Sequence, residues 1–230
     1  MANDIKQRLA RVRERIAGAA ERAGRRPSEI TLVAVSKTVA PATIQLAVDA
    51  GAADLGENRV QEAAAKTPLL NGGPIRWHLI GHLQSNKARL AIQTFDVIHT
   101  VDSVRLAEKL DSLASEAHRR PSVLVQVDFA HEETKSGADE ADVPEIITAL
   151  DRCESLRLCG LMTLPPLSES TEAARPYFRR LRDFLTRINV ERAPESKLIQ
   201  LSMGMSHDFE VAIEEGATMV RVGTAIFGER

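Results

Sequence analysis

Ile30-Thr31-Leu32-Val33-Ala34-Val35 is a six-residue run with a single polar member, and Ser36-Lys37 follows it directly. A strand covered on both faces reads as such a near-continuous apolar run, whereas a half-exposed strand alternates. Upstream, Ile5, Leu9, Val12 and Ile16 recur at helical spacing among Arg and Glu, which predicts an amphipathic helix over 4–24. Gly24-Arg25-Arg26-Pro27 closes it. Downstream, short apolar runs predict strands near 53–56, 75–80, 97–101, 123–127, 156–161, 197–201 and 218–222. Helical periodicity between them predicts helices near 41–50, 58–67, 85–94, 103–118, 142–153, 172–189 and 207–215. Strict alternation of this kind implies a parallel sheet. Eight strands imply closure into a (β/α)8 TIM barrel with an extra N-terminal helix. An open doubly wound sheet is the alternative. It is disfavoured in its dinucleotide-binding form because no Gly-x-Gly-x-x-Gly turn follows the first strand. No linker, repeat or low-complexity tract interrupts the pattern, so residues 1–230 are expected to form one domain. The stretch 131–142 is the least regular.

Composition narrows the function classes. The chain has 230 residues, a formal net charge of −2 and 27% charged residues. That balance argues against a nucleic-acid binder, which carries a basic excess. No apolar run approaches the roughly 20 residues that cross a bilayer. The start, Met1-Ala2-Asn3-Asp4-Ile5, lacks the basic and apolar regions of a secretion signal. Two cysteines, Cys153 and Cys159, make neither a disulfide framework nor a four-cysteine metal site. A cytoplasmic protein without a membrane or nucleic-acid partner is therefore expected. Two scarcities stand out. Only 7 of the 30 basic residues are lysine, and Tyr177 is the single tyrosine.

In a (β/α)8 barrel, functional groups sit at the C-terminal strand ends. Lys37 closes the first strand there. A desolvated lysine has a lowered pKa, and its neutral amine attacks aldehydes to form a Schiff base. The plainer alternative is a lysine snorkelling off the strand end. The last two strands run into Ser202-Met203-Gly204-Met205-Ser206-His207-Asp208 and Arg221-Val222-Gly223-Thr224. Many barrels hold a phosphate there, on backbone N–H groups and a helix N-terminus. Ser206 is placed to cap a helix starting near His207 and to reach a phosphate oxygen, and Gly204 and Gly223 permit close approach. An ordinary cap and turn glycines are the competing explanation. Other features point less sharply. His78 and His82 are four apart on a strand, which does not favour a metal pair. Glu57 reads as a helix-capping carboxylate and Asp208 as compensation of a helix dipole.

A lysine for an aldehyde and a phosphate cradle on one barrel together suggest pyridoxal 5′-phosphate (PLP). Several stretches closely resemble the YggS-like pyridoxal-phosphate homeostasis protein family. They are Val35-Ser36-Lys37, Leu55-Gly56-Glu57-Asn58-Arg59-Val60-Gln61-Glu62, and the run from Trp77-His78-Leu79-Ile80-Gly81-His82 to Leu83-Gln84-Ser85-Asn86-Lys87. Gly160-Leu161-Met162-Thr163, the segment 201–208 and the segment 220–228 match as well. The resemblance spans almost the whole chain. It implies a barrel like the N-terminal domain of alanine racemase and PLP held as a Schiff base on Lys37. It also implies phosphate contacts from the Ser206 region and from the backbone at Gly223 and Thr224, with Ser202 and Met203 among the cofactor-binding residues. Arg221 would lie near the pyridine nitrogen or the phosphate. Beside that nitrogen, an arginine keeps it unprotonated and the ring a poorer electron sink. Asn58 would lie beside the cofactor.

Asp128 departs from the family's usual Asn and is expected to add a negative charge, while the loop 132–137 fits. A racemase of this type needs a second base, a tyrosine from another domain, whereas Tyr177 lies on the predicted helix 172–189. The resemblance therefore implies a PLP carrier in intracellular PLP homeostasis, with PLP-dependent apoenzymes as partners and little turnover. A monomer is expected, because closing the sheet removes its edges. Two alternatives stay open. One is a PLP-dependent racemase-like enzyme using His82 or His207 as second base. The other is a cofactor-free, aldolase-type barrel with Lys37 as nucleophile.

Overall fold

The structure is a computed structural model that describes residues 2–130, 136–166 and 168–229. The strands are β1 (Thr31–Val35), β2 (Asp54–Glu57), β3 (Arg76–Leu79), β4 (Val97–Val101), β5 (Ser122–Asp128), β6 (Ala138–Asp139), β7 (Arg157–Thr163), β8 (Gln200–Met205) and β9 (Met219–Val222). All pairings are parallel, and the order β4-β3-β2-β1-β9-β8-β7-β5 is closed by a β4–β5 pairing. Eight strands thus form the barrel, as the alternation predicts, and the two-residue β6 rides outside on β5. The helices are α1 (Ala2–Arg22), α2 (Pro41–Asp49), α3 (Val60–Lys66), α4 (Ala88–Thr94), α5 (Val104–Glu116), α6 (Val143–Asp151), α7 (Arg175–Ile188), α8 (Phe209–Glu214) and α9 (Thr224–Phe227).

The main core lies between strands and helices, because each helix turns its apolar stripe inward. Ile5, Leu9, Val12 and Ile16 of α1 are buried in it. The helix covers the barrel next to α2, α8 and α9. Arg15–Glu210 and Arg22–Glu214 ion pairs tie it there. Inside the barrel a small apolar group, Val97, Leu124 and Met162, fills one part. Polar side chains fill another: His78, His99 and Ser202 are each 0% exposed.

Two boundary differences from the sequence reading bear on the site. The eighth strand spans Gln200–Met205, not 197–201. Lys197 and Ile199 stay outside and exposed, whereas Ser202 earns its place in the strand through hydrogen bonds inside the barrel. The helix after it begins at Phe209, so Ser206 does not cap it. Instead the Asp208 carboxylate accepts the Met205 N–H at 2.6 Å and closes a tight turn that presents Ser206 and His207. Gly204 makes this turn possible. Its φ is +89°, and a Cβ there would lie 2.5 Å from the Ala212 Cβ. Its close approach is thus to α8. Of the irregular stretch 131–142, residues 131–135 lie outside the described ones.

On the outer face, Glu215 is buried and receives Arg175, Arg179 and Arg182, each at 3.0 Å. Burial alone raises its pKa, but hydrogen bonds from Arg179 and Arg175 outweigh burial and hold it below the usual 4.5. A depressed carboxylate stabilises the fold above its unfolded pKa and loses that contribution as pH falls through the folded value. Thermal melts between pH 7 and pH 3 should therefore show a shallower acid-side loss in Glu215→Gln than in the wild type. An unchanged slope would remove this cluster from the account.

Candidate functional site

The C-terminal strand ends meet around a cavity of about 310 Å³, within the range of small-molecule sites. Side chains alternate along a strand, so Val33 and Val35 share one face. Val35 and Lys37 both line the cavity, and Ile80 and Leu164, just past β3 and β7, supply apolar wall. Asn58 follows β2, and Met205, Ser206 and His207 follow or end β8. Arg221 comes from β9, with Gly223 and Thr224 just beyond. Six of the eight residues singled out in the sequence are therefore brought together: Lys37, Asn58, Ser206, Arg221, Gly223 and Thr224.

The other two are not on the cavity wall. Ser202 lies one step down β8 inside the barrel, where its hydroxyl accepts from the Arg221 guanidinium at 2.6 Å. Met203 points the other way, into the core under the helices. Asp128 does not line the cavity either. Its carboxylate accepts the Ala130 N–H at 2.9 Å in its own turn. His82 sits half-exposed on the rim, 3.5 Å from Asp102. Tyr177 packs against the core on α7 and is not part of the cavity.

Lys37 is exposed, not desolvated as expected, because β1 ends at Val35 and the next residues rise over the rim. What is buried is the support beneath it. Lys66 on α3 donates to the Ser36 carbonyl at 2.8 Å, to Glu57 at 2.7 Å and to Glu62 at 2.6 Å. The Ser36 hydroxyl donates to Glu57 at 2.6 Å, and Glu62 accepts the Thr38 N–H at 2.6 Å. The clamp holds Thr38 at φ +61°, a left-handed conformation that is unfavourable for a β-branched residue. Glu57 is thus a buried anchor of the Lys37 turn and not a helix cap. Burial raises its pKa against the opposing hydrogen bonds from Lys66 and Ser36. The Glu62–Lys66 spacing of four was the available signal for Lys66, but no pattern marks its burial.

Arg221 is buried at 3% exposure, with its second nitrogen donating to the Thr163 carbonyl at 3.0 Å. Burial pushes its pKa down to about 10, so at neutral pH it is a cation facing the cavity. The Ser206 hydroxyl accepts the Gly223 N–H at 3.1 Å and joins the ends of β8 and β9. The first N–H groups of α9 have no intrahelical acceptor. One end of the cavity thus offers two hydroxyls and backbone donors, the base offers a guanidinium, and the rim offers a primary amine. Asn58 is positioned by Gly81, at which a Cβ would lie 2.4 Å from the Asn58 carbonyl oxygen. Gly81→Ala is expected to displace Asn58 and cost about 1–3 kcal/mol. Chemical denaturation measures that cost, and wild-type stability in the variant would mean that the two loops yield freely.

The chain matches a known class of barrel. Residues 7–230 match the family of the alanine racemase N-terminal domain. Alanine racemase of Clostridium difficile shares the fold with a TM-score of 0.72 at 17% identity. Much nearer is PipY of Synechococcus elongatus PCC7942, whose structure with PLP bound superposes with a TM-score of 0.86 at 40% identity, covering 97% of this chain and 100% of that one. The pyridoxal phosphate homeostasis protein of Aquifex aeolicus is 43% identical over 97% of both chains. That of Escherichia coli K12 is 43% identical over 99% of this chain and 97% of its own. The chain belongs to the alanine racemase N-terminal domain family and, within it, to the pyridoxal phosphate homeostasis proteins.

Proposed function

We propose that this protein binds pyridoxal 5′-phosphate as a Schiff base on Lys37 and serves intracellular PLP homeostasis as a carrier with little or no turnover. The observation that carries this reading is the convergence of Lys37, Arg221, Ser206 and the start of α9 on one cavity. The ligand has an aldehyde, a phosphate and a pyridine ring, and the site has chemistry for each. Lys37 supplies the amine. Ser206, Thr224 and the backbone at Gly223, whose N–H would turn from the Ser206 hydroxyl to the ligand, supply the phosphate's hydrogen-bond partners. Arg221, a donor without acceptor capacity, would leave the ring nitrogen unprotonated. Bound there, the group can supply electron-sink chemistry, which an unprotonated nitrogen weakens. Asn58 and Ile80 close the sides. The PLP-bound PipY structure and the homeostasis proteins at 43% identity support the same reading.

Carrier fits the site better than racemase. Tyr177, the single tyrosine, is remote from the cavity. His207 lines it, however, with its Nε2 3.1 Å from the Glu169 carbonyl, so slow proton transfer is the second reading. We take the 230 residues as one cytoplasmic, monomeric PLP-binding barrel that hands its ligand to PLP-dependent apoenzymes. Among the described residues no helix is long and apolar enough to cross a membrane. Adding PLP to the purified protein should produce a visible absorption band, and incubation with amino acids in deuterated water should give negligible α-hydrogen exchange. Exchange at ordinary enzymatic rates would turn the assignment to a racemase-like enzyme. A protein that stays colourless with PLP would leave the cofactor-free aldolase-type barrel.

A further inference from the structure

A chain of hydrogen bonds crosses the inside of the barrel from base to cavity. Asp54 at the start of β2 meets His78 Nε2 at 2.7 Å, and His78 Nδ1 meets His99 Nε2 at 2.8 Å. His99 Nδ1 meets the Ser202 hydroxyl at 2.8 Å, and that hydroxyl accepts from Arg221 at 2.6 Å. The four links come from five different strands, β2, β3, β4, β8 and β9. With both rings neutral, its acidic end fixes the direction of every proton. Arg221 can only donate, and an ionised Asp54 can only accept. Ser202 must then donate to His99 Nδ1, and His99 must donate from Nε2 to His78 Nδ1. His78 must donate from Nε2 to Asp54. Each ring carries its one proton on Nε2, and no donor or acceptor along the line is left over. Both rings are held neutral chiefly by burial, which lowers their pKa values. At the base, Arg76 also pairs with Asp54, at 2.5 Å.

Buried polar groups are costly unless they are satisfied, and fully satisfied chains polarise one another. In the neighbouring interior Val97, Leu124 and Met162 form an apolar group, so apolar side chains can also fill this barrel. We infer that Asp54, His78, His99 and Ser202 are positioning residues: an aligned relay that extends the negative charge of Asp54 to Arg221 and fixes the guanidinium's orientation toward the ligand's ring. This rests on the PLP-binding reading above. It adds that residues at the base of the barrel, four hydrogen bonds from Arg221, set the affinity and electronic state of the ligand at the top.

The test has two arms. In the PLP-free protein, nitrogen-15 NMR of the imidazoles should show His78 and His99 neutral and protonated on Nε2 at pH 7. A cationic ring, or a proton on Nδ1 of either, overturns the relay. In PLP titrations, Asp54→Asn and Ser202→Ala should each weaken binding about tenfold and shift the visible band. Ser202→Thr, which keeps the hydroxyl, should restore both. A merely structural role would lower thermal stability without moving the band, and unchanged affinity and band in both variants would overturn the proposal. If the wild type takes up no PLP, the preceding reading fails. The relay is then judged on the Arg221 guanidinium signals of the PLP-free protein: a shift on Asp54→Asn supports it and no shift overturns it.

Discussion

Lys37→Ala should take up PLP without the visible imine band and should leave no reducible protein–ligand bond, while its melting behaviour matches the wild type. The chemical loss is complete because a Schiff base needs a primary amine, and among the described residues Lys37 is the lysine lining the cavity. The structural cost is small because the side chain is exposed at the rim. Exposed substitutions away from buried networks shift stability by about 0.5 kcal/mol or less. Residual non-covalent binding should persist, since Ser206, Arg221 and the start of α9 are untouched. Absorbance, borohydride reduction and calorimetry on the one variant separate these outcomes. A band that survives would move the covalent role to another lysine, such as Lys87 or Lys135. A large loss of stability would mean that Lys37 has a structural role, which its exposure does not suggest.

Lys66→Met should be the most damaging substitution near the site, although Lys66 touches no ligand. It would leave Glu57, fully buried, without its cation, and would free the Ser36 carbonyl and Glu62. One Glu57 oxygen already lacks a hydrogen-bond partner. Removing one partner of a buried ion pair costs about 3–5 kcal/mol. The sign of its pH dependence is opposite to that of Glu215. Glu57 already has a raised pKa from burial, and losing Lys66 raises it further. A carboxyl that keeps its proton more firmly when folded destabilises the fold as pH climbs above the unfolded value. The variant should thus lose more stability at pH 8 than at pH 5. Denaturant titrations at both values check this, and a loss that is equal at both would mean that Glu57 relaxes to solvent. The turn at Thr38 should loosen with it, weakening PLP binding without removing the band.

The barrel was legible because its cause is local. The run 30–35 and its seven successors carry the two-sided burial of a parallel sheet in their own composition, and the helices carry their periodicity. The rim was legible for a related reason, since the fold fixes where strand ends converge, and Lys37, Ser206 and Arg221 fall there. What stayed hidden depends on contacts between distant segments. Glu57 and Lys66 look like surface charges until α3 is laid on β2. His78 and His99 meet across the barrel interior, and their pairing follows from strand register and not from sequence spacing. The helix start at Phe209 was misplaced by two residues because Asp208 closes a turn that Ser206 seemed equally able to cap. The expected desolvation of Lys37 failed because β1 ends with the apolar run at Val35, and Lys37, two residues on, is exposed on the rim.

The central claim is that Lys37 carries the ligand. Incubating the purified wild-type protein with PLP, reducing with borohydride and mapping the labelled peptide by mass spectrometry tests it most directly. The account predicts a single phosphopyridoxyl group on the peptide containing Lys37. Label on any other lysine, or no label at all, would contradict it.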